Sequence, residues 1–86
     1  MTVADTLHQK LNDALSPTHL VVIDESHLHA GHVGARPEGE THFRVEIVSA
    51  AFTGQTRVAQ QRQVYDILAA ELAGPVHALA LKTSAP

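Results

Sequence analysis

Histidine is the residue type in this chain whose spacing could support metal chemistry. His27, His29 and His32 lie within six residues of one another, in a stretch that also contains several glycines and a proline. Neutral imidazole is a common protein ligand for zinc, copper and iron. The stretch 24–43 joins two strand-like runs, and a long connection of this kind in a small domain is usually functional or mobile. It is therefore the first candidate for a site.

Two less specific interpretations compete with a metal site built from these histidines alone. Three imidazoles on a glycine-rich loop would need a fourth ligand and fixed outer partners, so a solvated polar loop is favoured over autonomous binding of zinc or copper. His77 follows a helix-stop signal and opens a strand-like run. For this residue the pattern alone favours a half-buried histidine whose polar groups bind the backbone.

Composition excludes several classes of protein. The 86 residues form one small domain over 1–86, and the absence of cysteine excludes disulfides, a thiolate zinc site and a cysteine nucleophile. The net charge is −3, and the six Lys and Arg residues form no basic stripe of the kind that binds duplex DNA. No signal-like N-terminus or run of 18 apolar residues occurs, so we expect a cytosolic protein without a membrane segment.

Other short motifs match known sites only in part. The segment 31–34 reads Gly-x-x-Gly, as in the nucleic-acid clamp of KH domains, but it lies between two strands rather than two helices. Ser26 near Asp24 lacks the strand-to-helix elbow of a hydrolase nucleophile. Arg57 and Arg62 lie on a helix that could read DNA, although nearby acidic residues offset their charge. None of these motifs indicates an enzyme.

The periodicity of apolar residues predicts an α+β domain of α-β-β-α-β order. A three-stranded sheet with helices on one face is the layered arrangement that this order implies. Thr2 and Asp5 form a capping pattern at the first helix. In chain order, the predicted elements are a helix over 3–15, strands over 19–25 and 41–49, a helix over 56–72 and a strand over 76–83.

The first two strands flank the histidine stretch. The run 20–23 is apolar and β-branched, which predicts a well-buried strand. In the next run, Phe43, Val45 and Ile47 alternate with His42 and other polar residues, which predicts a half-exposed strand. We expect these strands to pair antiparallel. The helical connection to the last strand is compatible with a parallel pair.

The second helix is predicted to begin at Thr56, its N-cap, and to continue to about residue 72. Gly74 fits the left-handed position that ends many helices, and Pro75 prevents continuation. The side of the helix that packs on the sheet is formed by Val58, Gln61, Val64 or Tyr65, Leu68 and Leu72.

Several short segments recur together in a recognisable order. They are 24–26 followed by the loop histidines, 40–45, 47–49, 52–54, Arg62 with 64–65, 71–72, and 76–81. In order and spacing this set resembles the BolA-like protein family over nearly the whole chain. The set is far more specific than any single motif.

The resemblance implies a class II KH-like fold, in agreement with the element order. It also implies a partner, a monothiol glutaredoxin of the CGFS type, and a heterodimer that shares a glutathione-ligated 2Fe-2S cluster. In that arrangement the BolA side supplies a histidine at the start of the last strand, here His77, and a second ligand from the loop between the first two strands. Counting forward from residue 24 selects His29, whereas counting back from residue 43 selects His32.

The implied role is that of a non-enzymatic adaptor in iron-sulfur cluster assembly or trafficking, or in iron homeostasis. Imidazole can replace thiolate on one iron of a 2Fe-2S cluster, so a protein without cysteine can still complete such a site. No cluster is expected in the isolated protein, since the thiolates come from its partners.

A DNA-binding transcriptional regulator is the alternative implied by the resemblance. The family typically shows Arg-His-Arg in the second helix, where this chain has Gln60-Gln61-Arg62. That exchange removes a cation and a histidine from the helix that would face DNA. Arg57 and Arg62 are the remaining candidates for phosphate contacts.

Overall fold

The order of elements is the predicted one. The computed structural model describes residues 2–25 and 41–86. Its elements are helix α1 (Val3–Leu15), strand β1 (His19–Asp24), strand β2 (His42–Val48), a 3₁₀ turn (Ala50–Phe52), helices α2 (Arg57–Ile67) and α3 (Ala69–Ala73), and strand β3 (Ala78–Ser84).

The described strands form one sheet in the order β1-β2-β3. Strand β1 is antiparallel to β2, with Val22 opposite Val45, and β3 is parallel to β2, with Leu81 beside Val45. Both pairings agree with the sequence prediction. Because β2 and β3 run in the same direction, His42 at the start of β2 lies beside Ala78 at the start of β3.

The core lies between the helices and one face of the sheet. Phe43, Val45 and Ile47 on β2 are buried, as their alternation predicted. Leu7, Leu11 and Leu15 recur at helical spacing along α1 and pack against the same cluster. Among the described residues, the other buried members of the core are Phe52, Val64, Leu68 and Val76.

Helix α1 has a defined structure at both ends. The Thr2 hydroxyl accepts a hydrogen bond from the Asp5 amide at 3.1 Å, and the Asp5 carboxylate accepts one from the Thr2 amide at 3.2 Å. This confirms the predicted cap. The Thr2 amide and then the Thr2 hydroxyl hold the pKa of the Asp5 carboxyl below its usual range. At the other end, Ser16 adopts a left-handed φ of 43° just before Pro17.

The prediction that β1 is well buried was wrong. Its side chains are half-buried or exposed, and Ile23 is 40% exposed. The reason is position, because β1 lies at an edge of the sheet and directs alternate residues to the face that the helices leave open. A β-branched run therefore indicated a strand here without indicating its depth.

The predicted helix over 56–72 is present in two parts, with one non-helical residue at Leu68. Thr56 caps it as predicted, accepting a hydrogen bond from the Ala59 amide at 3.1 Å. Two residues assigned to its buried side, Val58 and Tyr65, are instead 63% and 40% exposed. The side of the helix that faces the core is centred on Val64 and Leu68. Val58 and Tyr65 lie about a quarter turn around the helix from that side, which is why they are exposed.

The left-handed conformation predicted for Gly74 was also wrong. The φ of Gly74 is −114°. The helix ends in a turn in which the Gly74 amide donates a hydrogen bond to the Glu71 carbonyl at 3.1 Å. The Val76 amide donates to the same carbonyl at 2.9 Å. A Cβ at residue 74 would lie 3.3 Å from the Ala70 carbonyl oxygen, so the turn brings the backbone unusually close there.

Among the described residues, no helix is both long enough and apolar enough to cross a membrane.

Candidate metal centre

One end of the sheet brings together residues that are distant in sequence. The Glu25 amide, just after β1, donates to the His42 carbonyl at 2.8 Å. The Thr41 carbonyl, just before β2, accepts hydrogen bonds from the amides of His77 at 2.6 Å and Ala78 at 3.1 Å. Because the chain leaves the described region at Glu25 and re-enters it at Thr41, both attachment points of the segment 26–40 lie at the same sheet end as His77.

Two imidazoles meet at this sheet end. The ring centroids of His42 and His77 are 6.0 Å apart, with 56° between the ring planes. His42 is only 9% exposed, and its Nδ1 lies 2.8 Å from the Thr41 Oγ1 in a hydrogen bond. His77 is exposed, so the prediction of a half-buried histidine was wrong. Its amide is hydrogen-bonded to the sheet, while the residue as a whole is exposed.

His42 was not predicted as a site residue. Its alternation with Phe43 predicted only a place on the polar side of β2, and its burial was unexpected. Its proximity to His77 arises from the parallel pairing of two strands, one beginning at His42 and the other directly after His77, and no local sequence pattern signals it. Residues at the same ends of parallel neighbours lie side by side.

The described residues do not complete a metal site. No group of three or more His, Cys, Asp or Glu side chains among them is arranged to hold an ion. The predicted ligands His29 and His32 lie outside the described residues, as do His27, Ser26 and the Gly-x-x-Gly segment. What the described part provides at this sheet end is one exposed histidine, His77, with the buried His42 beside it.

An ion pair lies next to the two histidines. Arg44 Nε donates to Glu25 Oε2 at 3.1 Å. Arg44 follows His42 by two residues on β2, so both project from the open face of the sheet. The charge of Glu25 is thus partly neutralised at this end.

The alternative DNA-contacting residues lie elsewhere. Arg57 and Arg62 are both exposed on α2, and neither forms a salt bridge with another described residue. Arg57 also lines a groove between α2 and β3. The two cations are five residues apart on the helix and form no continuous basic surface.

Comparison with known proteins identifies the family. A family model described as BolA-like protein matches residues 11–86. The chain belongs to the BolA-like protein family. A Sinorhizobium protein described as an uncharacterized protein in the cobS 5′ region is 47% identical over 87 residues, covering 100% of this BolA-like chain and 94% of the relative. The DNA-binding transcriptional regulator BolA of Escherichia coli is 41% identical over 83 residues, covering 96% and 75%.

A solved structure confirms the fold of this BolA-like chain. BolA1 from Arabidopsis thaliana superimposes with a TM-score of 0.87 at 37% identity, covering 100% of this chain and 94% of the other. Some curated relatives are longer, and the chain spans 53% of chloroplast BOLA1 from Arabidopsis and 58% of BolA-like protein 1 from mouse. The class II KH-like prediction therefore rests on both the element order and the match to a BolA structure.

Proposed function

We propose that this chain is a non-enzymatic adaptor that binds a CGFS monothiol glutaredoxin and helps to ligate a 2Fe-2S cluster shared with it and with glutathione. The role would lie in iron-sulfur cluster assembly or trafficking, or in iron-homeostasis regulation. The observation that carries the proposal is the exposed ring of His77 at the sheet end where the segment containing His29 and His32 is attached at both its ends.

The donor chemistry fits a shared cluster better than a resident metal. The chain has seven histidines and no cysteine, so its side of a site must use imidazole or carboxylate. A donor set of this kind suits a site whose thiolates come from a partner, since imidazole can replace thiolate on one iron of a 2Fe-2S cluster. When bound, a cluster with imidazole ligands has a higher reduction potential than one held by four thiolates.

Titration onto a preformed cluster tests this proposal. A CGFS glutaredoxin is reconstituted with iron, sulfide and glutathione, the chain is added, and visible absorption and circular dichroism are recorded. We expect a saturable spectral change that His77→Ala abolishes. His19→Ala is the matched control, because it removes an exposed histidine from the opposite end of the sheet.

The same titration distinguishes the loop candidates. If His29→Ala changes the spectrum and His32→Ala does not, His29 is the loop ligand, and the reverse result selects His32. His42→Ala tests whether the buried imidazole beside His77 also affects the cluster. An unchanged spectrum together with no heterodimer in size-exclusion chromatography would reject the adaptor proposal.

DNA binding is the second candidate function, favoured by the name of the Escherichia coli relative and by the exposed cations of α2. Affinity for a duplex should fall steeply with salt if Arg57 and Arg62 contact phosphates. Replacing either with Gln should then reduce the slope of log affinity against log salt by about one. Negligible duplex binding at low salt would remove this candidate.

The compartment stays a prediction. The sequence favours the cytosol, whereas two Arabidopsis relatives are named as chloroplastic or as chloroplastic and mitochondrial.

A further inference from the structure

A groove separates the beginning of α2 from the later half of β3. Its volume is about 410 Å³. It lies toward the end of β3, whereas His77 precedes the start of that strand, so the groove is distinct from the histidine site. Its lining consists of Arg57, Gln61, Leu81, Lys82, Thr83 and Ser84.

The groove follows an open strand edge. Among the described strands, β3 pairs only with β2, so its other edge has no strand partner. An open edge presents backbone amides and carbonyls with the spacing that another extended chain can match. The groove therefore offers backbone hydrogen bonds as well as side chains.

Two of the side chains that line this groove, Arg57 and Lys82, are positively charged, and none is acidic. Arg57 and Lys82 are exposed and form no salt bridge with another described residue, whereas Lys10 and Arg44 each pair with a carboxylate. The acidic side chain nearest in register is Glu46, which lies beside Lys82 in the sheet without forming a salt bridge to it. The amino end of α2 adds a partial positive charge near Arg57.

We propose that this groove binds an extended acidic segment of a partner protein, which adds to the edge of β3 as a further strand. Side chains of such a strand would alternate between the two faces of the sheet. One acidic side chain would then face Lys82 on the open face, and the next would face Arg57 on the helical face. The preferred segment therefore carries two consecutive acidic residues.

Other occupants fit this groove less well. Antiparallel pairing of two copies through β3 would place like charges at Lys82 close together across the junction, which is unfavourable. Single-stranded nucleic acid binds chiefly through aromatic stacking combined with a basic groove. None of the residues lining this groove is aromatic.

Peptide binding to the isolated chain, in the absence of iron and glutaredoxin, tests the proposal. The probe is a fluorescent peptide with Glu-Asp between Val and Thr residues, and the matched control carries Gln-Asn instead. We expect the acidic peptide to bind about tenfold more tightly or better, and Arg57→Glu or Lys82→Glu to weaken it about tenfold, since each attraction becomes a repulsion. Arg62→Glu, outside the groove on the same helix, should change affinity less than about twofold.

Two further measurements address the strand pairing. Amide chemical shifts of 81–83 should change most on titration. An acidic peptide with alternate backbone amides methylated should bind at least about tenfold more weakly, because it cannot donate along the edge. Equal binding of the methylated or the Gln-Asn peptide would overturn the proposal. So would equally tight binding of an oligonucleotide that displaces the acidic peptide, or self-association that blocks the peptide.

Discussion

The two ends of strand β2 carry similar residues that make different contacts. A buried hydroxyl residue lies just outside each end, Thr41 before the strand and Ser49 after it. Ser49 Oγ donates to the Leu15 carbonyl at 2.6 Å and accepts from the Ala51 amide at 3.1 Å. The Ser49 hydroxyl therefore links the end of α1 to the 3₁₀ turn that follows β2.

At the opposite end, the Thr41 carbonyl holds the start of β3, and the Thr41 hydroxyl holds the imidazole of His42. The exposed ring of His77 lies beside these buried groups. The Ser49 end therefore closes the fold, whereas the His77 end presents an exposed side chain from a hydrogen-bonded backbone. Stability and binding should therefore respond separately to changes at the two ends.

Removing the Ser49 hydroxyl should have the largest effect on stability. Ser49→Ala removes a buried hydrogen bond to the Leu15 carbonyl and a part-buried one from the Ala51 amide, so we expect a loss of about 1–3 kcal/mol in the free energy of unfolding. Ser84→Ala is the control, because Ser84 is exposed and its carbonyl, which accepts from the Ser49 amide, is retained. Urea denaturation followed by circular dichroism measures both. Equal losses in the two variants would show that the Ser49 hydroxyl does not close the fold.

The ion pair at the His77 end should contribute less. Arg44 and Glu25 have side chains 48% and 21% exposed, and pairs this exposed contribute about 0.2–1 kcal/mol. A double-mutant cycle with Arg44→Gln and Glu25→Gln should give a coupling in that range. The coupling should decrease in high salt. A coupling that is larger and unaffected by salt would mean that this end also holds the fold together.

The smallest effect on stability should come from His77 itself. His77→Ala keeps the backbone amide that donates to Thr41 and removes only an exposed ring, so unfolding should change by less than about 0.5 kcal/mol. Urea denaturation of the variant and of wild type measures this directly. A loss as large as that of Ser49→Ala would make His77 a structural residue and would contradict the comparison of the two ends.

Much of the fold was predictable from local patterns. The cap at Thr2, the alternation through Phe43, Val45 and Ile47, and the N-cap at Thr56 all depend on residues near in sequence, and each prediction was confirmed. The depth of β1 and the rotation of α2 were not predictable in this way. Both depend on which side of an element meets the rest of the fold, and an apolar run does not specify that.

The candidate site shows the same division. His77 was singled out from its position after a helix stop, and its exposure could not be derived from that pattern. His42 was overlooked because its proximity to His77 arises from parallel pairing between strands more than thirty residues apart. A contact between strands joined through a helix depends on tertiary structure, which sequence spacing does not report.

The most direct test of the central proposal is to look for histidine nitrogen bound to iron. The chain is labelled with ¹⁵N-histidine, combined with an unlabelled CGFS glutaredoxin carrying a reconstituted cluster, reduced, and examined by electron-nuclear double resonance. We predict strong ¹⁵N coupling in wild type and in His19→Ala, and loss of one strong coupling in His77→Ala. Absence of strong ¹⁵N coupling in wild type, or an unchanged spectrum in His77→Ala, would contradict ligation by His77.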